Sequence, residues 1–337
     1  VHENVGLCEV NGFNRLEITG TDRHQFLDRM FCGRVAKRDG RVGLGYLLNH
    51  HGMVKGEATV ANLPASDRGP DRVWYGSAAA SEYHDMDWLQ AHLRPDEDVQ
   101  IRSLTNQKTI LVLAGPKSRD VMQSVSRADW SKDAFPWLSV RECFIGFAPA
   151  TVMSVSFSGE LAYEIHIPNE ALYAAYLALQ EAGQAHGIRL FGARAVDTMR
   201  LEKGFLHWKA DLLTEFDPFE TGLGRFVKMD KAHFVGKEAL EQRRDTGSSK
   251  RLVTLKVEAN HAPAPPGASV MSAGKVVGTV TSGEWGHRVG MNLAYAFVEN
   301  AFAEVGTMIE LDLCGDITAV QVIAPSPYDP GNTLMQG

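Results

Sequence analysis

Apolar residues recur along this chain at two periods, every second position in some stretches and every third or fourth in others. The shorter period is cleanest in SFSGELAYEIHIP, residues 156–168. There Phe157, Leu161, Tyr163, Ile165 and Ile167 fall on one face of an extended strand, and Glu160, Glu164 and His166 on the other. Such alternation predicts a half-buried strand. Its two glutamates leave two readings open: a solvated sheet surface, or a cleft where a carboxylate accepts two parallel hydrogen bonds from a planar ligand edge such as a guanine or pterin ring.

The same patterns divide the rest of the chain. Residues 5–20 predict strand, turn and strand, broken at Asn11-Gly12, with a helix following in DRHQFLDRMF. Residues 41–62 predict a hairpin turning near His50-His51-Gly52, and VWYGSA a further strand. SEYHDMDWLQAHL predicts an amphipathic helix with Tyr83, Met86, Leu89 and Leu93 as its stripe. KTILVLAGP reads as a buried strand stopped by Gly-Pro before a helix begun by KSRDVMQSV. Strands follow in CFIGFAPATVMSVSFSG and LAYEIHIP, then a helix in NEALYAAYLALQEAGQAHG with Asn169 as N-cap and Gly187 at its end, and another in GARAVDTMRLEKGF. This mixture predicts α+β layers. Beyond residue 245 helical spacing fades into short strands punctuated by Gly and Pro, which predicts a small C-terminal barrel or sandwich.

Composition narrows the classes. With 337 residues, 44% hydrophobic and 22% charged, the chain is long enough for two or three globular domains. No apolar run approaches the ~20 residues of a membrane helix, and VHENVGLCEV lacks a secretory signal pattern, so the expectation is a soluble protein of the cytoplasm or an organelle matrix. A net charge of −7 without a basic tract excludes broad nucleic-acid binding. The group Arg243, Arg244, Lys250 and Arg251 flanks DTGSS and reads as a solvated linker. Cys8, Cys32, Cys143 and Cys314 stand singly, which predicts reduced thiols.

Other polar clusters have ordinary readings. Asp197 and Arg200 are spaced for a helical i,i+3 ion pair, and DPFETGLG, with Asp217 and Glu220, for a solvated turn. GRVGLGYL lacks the spacing of a dinucleotide loop. His50-His51 and His84-Asp85 lack metal-ligand spacing, and Ser282 lies outside a nucleophile elbow.

Taken together, VGLCEVNGFNRLEITG, LLNHHGMVKGEATV, ILVLAGPKSRDVM, SFSGELAYEIHIP, GARAVDTMRLEKGF, DPFETGLGRFVKMDKAHFVGKEAL and GKVVGTVTSGEWGHRVGMNLAYAFV resemble the folate-binding aminomethyltransferase family of the glycine cleavage T-protein, and within it the C-terminal region of dimethylglycine and sarcosine dehydrogenases. The resemblance implies two α+β domains around a folate channel plus a C-terminal β-barrel. The corresponding boundaries are 1–20 with 140–245, 21–139, and 246–337. It also implies tetrahydrofolate as cofactor and transfer of a one-carbon unit from a small methylated amine or other methylated substrate.

By the same resemblance Glu57 is the acid at the reacting carbon and Glu164 grips the pterin edge. Tyr163 and Trp74 join the folate site, and Arg200 orders it directly or through Glu220. Phe157, Val196 and Ala78 depart from the T-protein pattern. The chain starts some tens of residues inside the usual beginning of the domain, and oxidation of a methylamine calls for a flavoprotein partner or a further FAD-bearing domain. Two rivals stand beside this reading. One is a stand-alone tetrahydrofolate-dependent O-, S- or N-demethylase; the other is a non-catalytic folate-binding paralogue, for which FVGKEAL lacks the expected cysteine.

Overall fold

The Asn-Gly break after the first strand sends consecutive strands into different sheets. The computed structural model describes residues 1–260 and 262–337. Strand β1 (Gly6–Glu9) enters a six-stranded sheet, whereas β2 (Leu16–Thr19) enters a five-stranded one. The five-stranded sheet has the order β3-β4-β5-β2-β6, with β3 (Val42–Leu48), β4 (Val54–Leu63), β5 (Arg72–Gly76) and β6 (Gln100–Ser103). The six-stranded sheet runs β11-β1-β7-β10-β9-β8, with β7 (Lys108–Ala114), β8 (Val140–Ile145), β9 (Ala148–Met153), β10 (Ala162–Pro168) and β11 (Arg189–Leu190). Although β7 lies inside the segment 21–139 expected to form a separate domain, it pairs with β1 and β10, so the six-stranded sheet takes it in.

Helices cover these sheets where the longer apolar period predicts them. They are α1 (Arg23–Met30), α2 (Glu82–Ala91), α3 (Ser118–Val125) and α4 (Leu172–Gly183). One face of the six-stranded sheet meets α3 and α4 in a core containing Leu113, Val121, Ile145, Tyr163, Ile165 and Leu179, closed by Trp130 and Phe135. A second core holds Ala61, Leu63 and Trp74 of the five-stranded sheet against Val140 and Met153 of the six-stranded one. Burial of these side chains, at about 25 cal/mol per Å² of apolar surface, is the main force joining the two sheets.

Two helices differ from the pattern reading. In α2 Tyr83 is 84% exposed and the buried positions are Asp85 and Leu89. The Asp85 carboxylate accepts from the hydroxyls of Tyr75, Ser77 and Ser81, so hydrogen bonding overrides polarity there. Asn169 does not cap α4; it opens a 3₁₀ turn, accepts from Thr109 Oγ1 at 2.9 Å and donates to Asn106 O at 2.9 Å.

The remaining helices are α5 (Ala193–Lys203), α6 (Lys237–Thr246) and α7 (Thr333–Gln336). The expected C-terminal barrel is present and closed. Strands β12 (Lys250–Val257), β13 (Ser269–Ser272), β14 (Lys275–Gly286), β15 (Met291–Glu299), β16 (Met308–Leu313) and β17 (Asp316–Ile323) join in the order β12-β15-β14-β13-β16-β17. Closure leaves no bare sheet edge. Two compact units result: one of Val1–Leu47, Gly56–Ala193 and Asn332–Gly337, the other of Leu48–Lys55 and Arg194–Gly331. No helix among the described residues is long and apolar enough to cross a membrane.

Gly283 lets β14 lie against the chain at Ala264, because an added Cβ would sit 2.1 Å from the Ala264 carbonyl oxygen. A Gly283→Ala substitution should therefore lower the urea midpoint of the second unit by the equivalent of about 1–3 kcal/mol, the usual cost of overpacking. An unchanged midpoint would show that β14 yields freely.

Candidate functional site

Strand β10 sorts its side chains as alternation demands. Tyr163, Ile165 and Ile167 enter the core beneath α3 and α4, while Glu164 and His166 turn to the other face. On that face Glu164 stands between Val112 and Met153, and His166 between Ile110 and Thr151. Across from them is Trp74 of β5, edge-on to His166 with 5.2 Å between ring centroids and 75° between planes. The Glu164 side chain is 24% exposed and that of His166 4%, with Nε2 of the histidine 3.5 Å from Glu164 Oε2. Asn14, Thr59 and Met153 complete a pocket around this pair, with an interior of about 30 Å³. That is the room of one or two water molecules.

Charge around the pair is unusual for a buried corner. Burial holds the His166 imidazolium below its ordinary range; Glu164 opposes that, while Arg15 and Lys108 reinforce it. Lys108 Nζ sits 4.9 Å from the Trp74 ring, a cation–π contact, and burial lowers its own titration too. Among the described residues, Nδ1 of His166 and Nε1 of Trp74 have no hydrogen-bond partner, and Nε2 of His166 has only its long contact with Glu164.

Register carries Glu57 toward the same face. On the β4–β5 pair Thr59 lies opposite Gly76 and Ala61 opposite Trp74, so residues 57, 59 and 61 share the face of Trp74. Glu57 is thus one alternation step, about 7 Å along the strand, from the pocket residue Thr59. The opposite face of β4 holds Asp85: a Cβ at Gly56 would lie 3.7 Å from its Oδ1. The backbone therefore separates the two carboxylates. Burial pushes the Glu57 carboxyl up to about 7, against a hydrogen bond from Tyr46 that draws it down. A group titrating there is half ionised near neutral pH, the condition for moving a proton in either direction.

Two expectations on this strand are corrected. Tyr163 does not face the Glu164 pocket; it is fully buried on the opposite face, stacked with Phe135 and edge-on to Trp130, and burial raises its phenol to about 12. Nor does Glu160 extend the polar face, because β10 begins at Ala162. Glu160 lies in the preceding turn, 2% exposed, with Oε1 3.1 Å from His2 Nδ1.

In the second unit Arg200 is buried, and its partner is an acid that sequence reasoning passed over. Its Nη1 donates to Asp211 Oδ2 at 2.6 Å and to Phe205 O, and its Nη2 to Ser282 Oγ at 2.9 Å. The expected i,i+3 contact with Asp197 exists at 3.4 Å but is secondary. Asp211, fully buried, also accepts from Thr281, Ser282 and the His207 amide, so its charge is well compensated. The segment HWKADLL has no period or spacing that marks Asp211.

Glu220 does not mediate for Arg200. Its Oε2 accepts from the Asp217 amide at 3.0 Å and its carbonyl from the Leu252 amide, which fastens the 217–220 turn to β12. Burial raises its carboxyl. The turn is accordingly buried rather than solvated, with Asp217 at 2% and Glu220 at 7% exposure. Arg243 is also engaged, donating to His51 O and lying 3.9 Å from Asp217, not free in a linker.

Comparison with known proteins places these residues in a family context. Residues 1–231 match the model of the GCVT N-terminal domain, and residues 250–329 that of the glycine cleavage T-protein C-terminal barrel domain. The chain is 34% identical to rat (Rattus norvegicus) dimethylglycine dehydrogenase, mitochondrial, over 94% of its length and 36% of that protein. To mouse (Mus musculus) sarcosine dehydrogenase, mitochondrial, it is 30% identical over 96% of its length and 37% of the relative. The chain thus spans about a third of the length of these relatives. Its fold matches the glycine cleavage system aminomethyltransferase T of Bartonella henselae with a TM-score of 0.87 at 22% identity, over 98% of this chain and 88% of that one.

Two stability changes follow from the geometry. The folded chain keeps a proton on Glu57 that the unfolded chain releases between about 4.5 and about 7, so this group's contribution falls as pH rises through that window. Glu57→Gln should raise the melting midpoint at pH 8, by the equivalent of on the order of 1–3 kcal/mol, and leave it unchanged at pH 4.5. Equal shifts at both pH values would contradict the raised titration. Asp211→Ala should cost about 3–5 kcal/mol in urea unfolding, since it strands the buried Arg200 charge.

Proposed function

The chain belongs to the glycine cleavage T-protein family, and from that premise we propose that it binds tetrahydrofolate at the Glu164 pocket and transfers a one-carbon unit from a small methylated or aminomethyl amine. The observation that carries this reading is the partly exposed Glu164 carboxylate beside the Trp74 indole nitrogen, which has no hydrogen-bond partner among the described residues, on the face to which β4 also turns Glu57. A carboxylate takes two parallel N–H bonds from the edge of a flat heterocycle, the Trp74 indole nitrogen can donate, and the Trp74 and His166 rings supply apolar surface.

When bound, tetrahydrofolate supplies the nucleophilic amine nitrogen and receives the one-carbon unit. Glu164 fixes the orientation of that ring system. Glu57, titrating at about 7, offers a negative charge to an electrophilic iminium carbon and a base for the proton that the attacking amine must lose. Arg200 and Glu220 act in this reading as residues that hold their own segments in place, through Asp211 and the 217–220 turn. Oxidation of the amine belongs to a flavoprotein component, in keeping with the dehydrogenases that the chain resembles.

Titration calorimetry with tetrahydrofolate tests the site. Glu164→Ala should weaken binding by roughly 10- to 100-fold, the loss expected of a charge-assisted bidentate contact. A variant that binds as the parent does would remove Glu164 from the site. For Glu57→Gln, binding should hold within about threefold while single-turnover transfer falls by about 10²–10⁴-fold, the range for a lost general base. Full transfer by that variant would refute the assignment. Product analysis then separates the readings: 5,10-methylene-tetrahydrofolate agrees with transfer from an aminomethyl donor, and 5-methyl-tetrahydrofolate would instead identify a stand-alone demethylase.

A further inference from the structure

Beyond the apolar surface of its ring, His166 brings ring nitrogens into the pocket that the pterin-site reading leaves without a role. Its side chain is 4% exposed, Nδ1 has no hydrogen-bond partner among the described residues, and the ring sits two positions from Glu164 on the same face of β10. Buried polar atoms are nearly always hydrogen-bonded, and one left unpaired marks a place where a ligand or a functional state completes the arrangement. Trp74 holds the imidazole from one side, and Nε2 lies 3.5 Å from Glu164 Oε2. That separation is just beyond a good hydrogen bond and comfortable for an ion pair.

We propose that His166 is the positioning residue of this site, steering the Glu164 carboxylate toward a flat N–H-bearing ligand edge while neutral and withdrawing it by ion pairing once protonated. The proposal rests on the pterin-site reading of Glu164. In the neutral tautomer with its proton on Nε2, the ring offers one weak donor to Oε2, which limits the carboxylate's rotation and leaves its remaining lone pairs for the ligand. The protonated ring instead carries a full charge next to the carboxylate in a poorly solvated corner, where attraction between opposite charges is strong. Ligand and imidazolium then compete for the same oxygens.

The neighbouring charges set the sense of the switch. Glu164 on β10 favours the protonated ring, whereas Arg15, buried before β2, and Lys108 at the start of β7 disfavour it. The strand positions directly beside His166, Ile110 on β7 and Thr151 on β9, carry no titratable group, and neither does Trp74. Burial adds to the two cations, so His166 is neutral at pH 7.5 and gains its proton only below the usual histidine range. Affinity should consequently fall as pH drops, and this histidine should be the reason.

The test is tetrahydrofolate titration of the whole chain at pH 7.5 and 5.5, with His166→Phe, His166→Gln and Glu164→Gln beside the parent. The parent should lose affinity on acidification, by less than the roughly tenfold that a histidine at its ordinary value would give at pH 5.5. His166→Phe keeps a ring against Trp74 but no nitrogen; it should bind a few-fold more weakly at pH 7.5 and show no such loss at pH 5.5. His166→Gln retains an N–H without titrating, so it should recover the pH 7.5 affinity and stay flat with pH.

A parent-like pH profile in the glutamine variant would overturn the proposal, and so would parent-like affinity at both pH values in the phenylalanine variant. If His166→Phe melts well below the parent, the glutamine variant alone decides. Unchanged binding by Glu164→Gln would sink the pterin-site reading itself. A weak Glu164→Gln with histidine variants that follow the parent would remove only the role given to His166.

Discussion

The edge-on contact of Trp74 with His166 is the point on which the geometry of the first unit turns. Trp74 belongs to the five-stranded sheet and His166 to the six-stranded one. The same indole is part of the apolar core that includes Ala61, Leu63, Val140 and Met153. Because adjacent side chains on a strand point in opposite directions, once Trp74 is committed to this face the directions of every neighbour follow. Residues 57, 59 and 61 of β4 must share it, and Glu164 must accompany His166. A one-residue slip in either strand would replace the acids by core residues.

Polar burial elsewhere obeys a common economy. Asp85, Asp211 and Asp217 are almost inaccessible, and each is answered by several donors: hydroxyls for Asp85, a guanidinium, an amide and two hydroxyls for Asp211, and backbone amides for Asp217. These carboxylates are fully engaged by protein donors and have little to offer a ligand. Glu164, His166 and Glu57 differ. Glu164 is partly exposed, His166 Nδ1 has no hydrogen-bond partner among the described residues, and Glu57 is raised by burial more than one tyrosine hydroxyl can offset. Incomplete satisfaction, rather than acidity as such, distinguishes these three groups from the buried aspartates.

The second unit illustrates how spacing can mislead when a better partner arrives from a distance. Arg200 and Asp197 are placed for a helical ion pair, which forms at 3.4 Å, but the shorter and more buried contact is with Asp211. An ion pair on a helix surface gains a few tenths of a kcal/mol, whereas a buried guanidinium demands near-complete pairing. Asp211 meets that demand together with Ser282 of the barrel strand β14 and the Phe205 carbonyl.

Alternation and turn chemistry, both local properties of the sequence, determined the strands around 6–9, 16–19, 108–114 and 162–168, the helices at 118–125 and 172–183, and the barrel beyond residue 245. Local period also determined that Glu164 and His166 oppose Ile165 and Ile167. Only the tertiary structure decided which sheet each strand joins, because β1 and β2 have similar patterns but different partners. It alone turned Asp85 inward and Tyr83 outward, and gave Arg200 to Asp211 rather than Glu220. Those outcomes depend on pairing and desolvation between residues as distant in sequence as Gly6 and Arg189, and a period of two or 3.6 residues records nothing at that range.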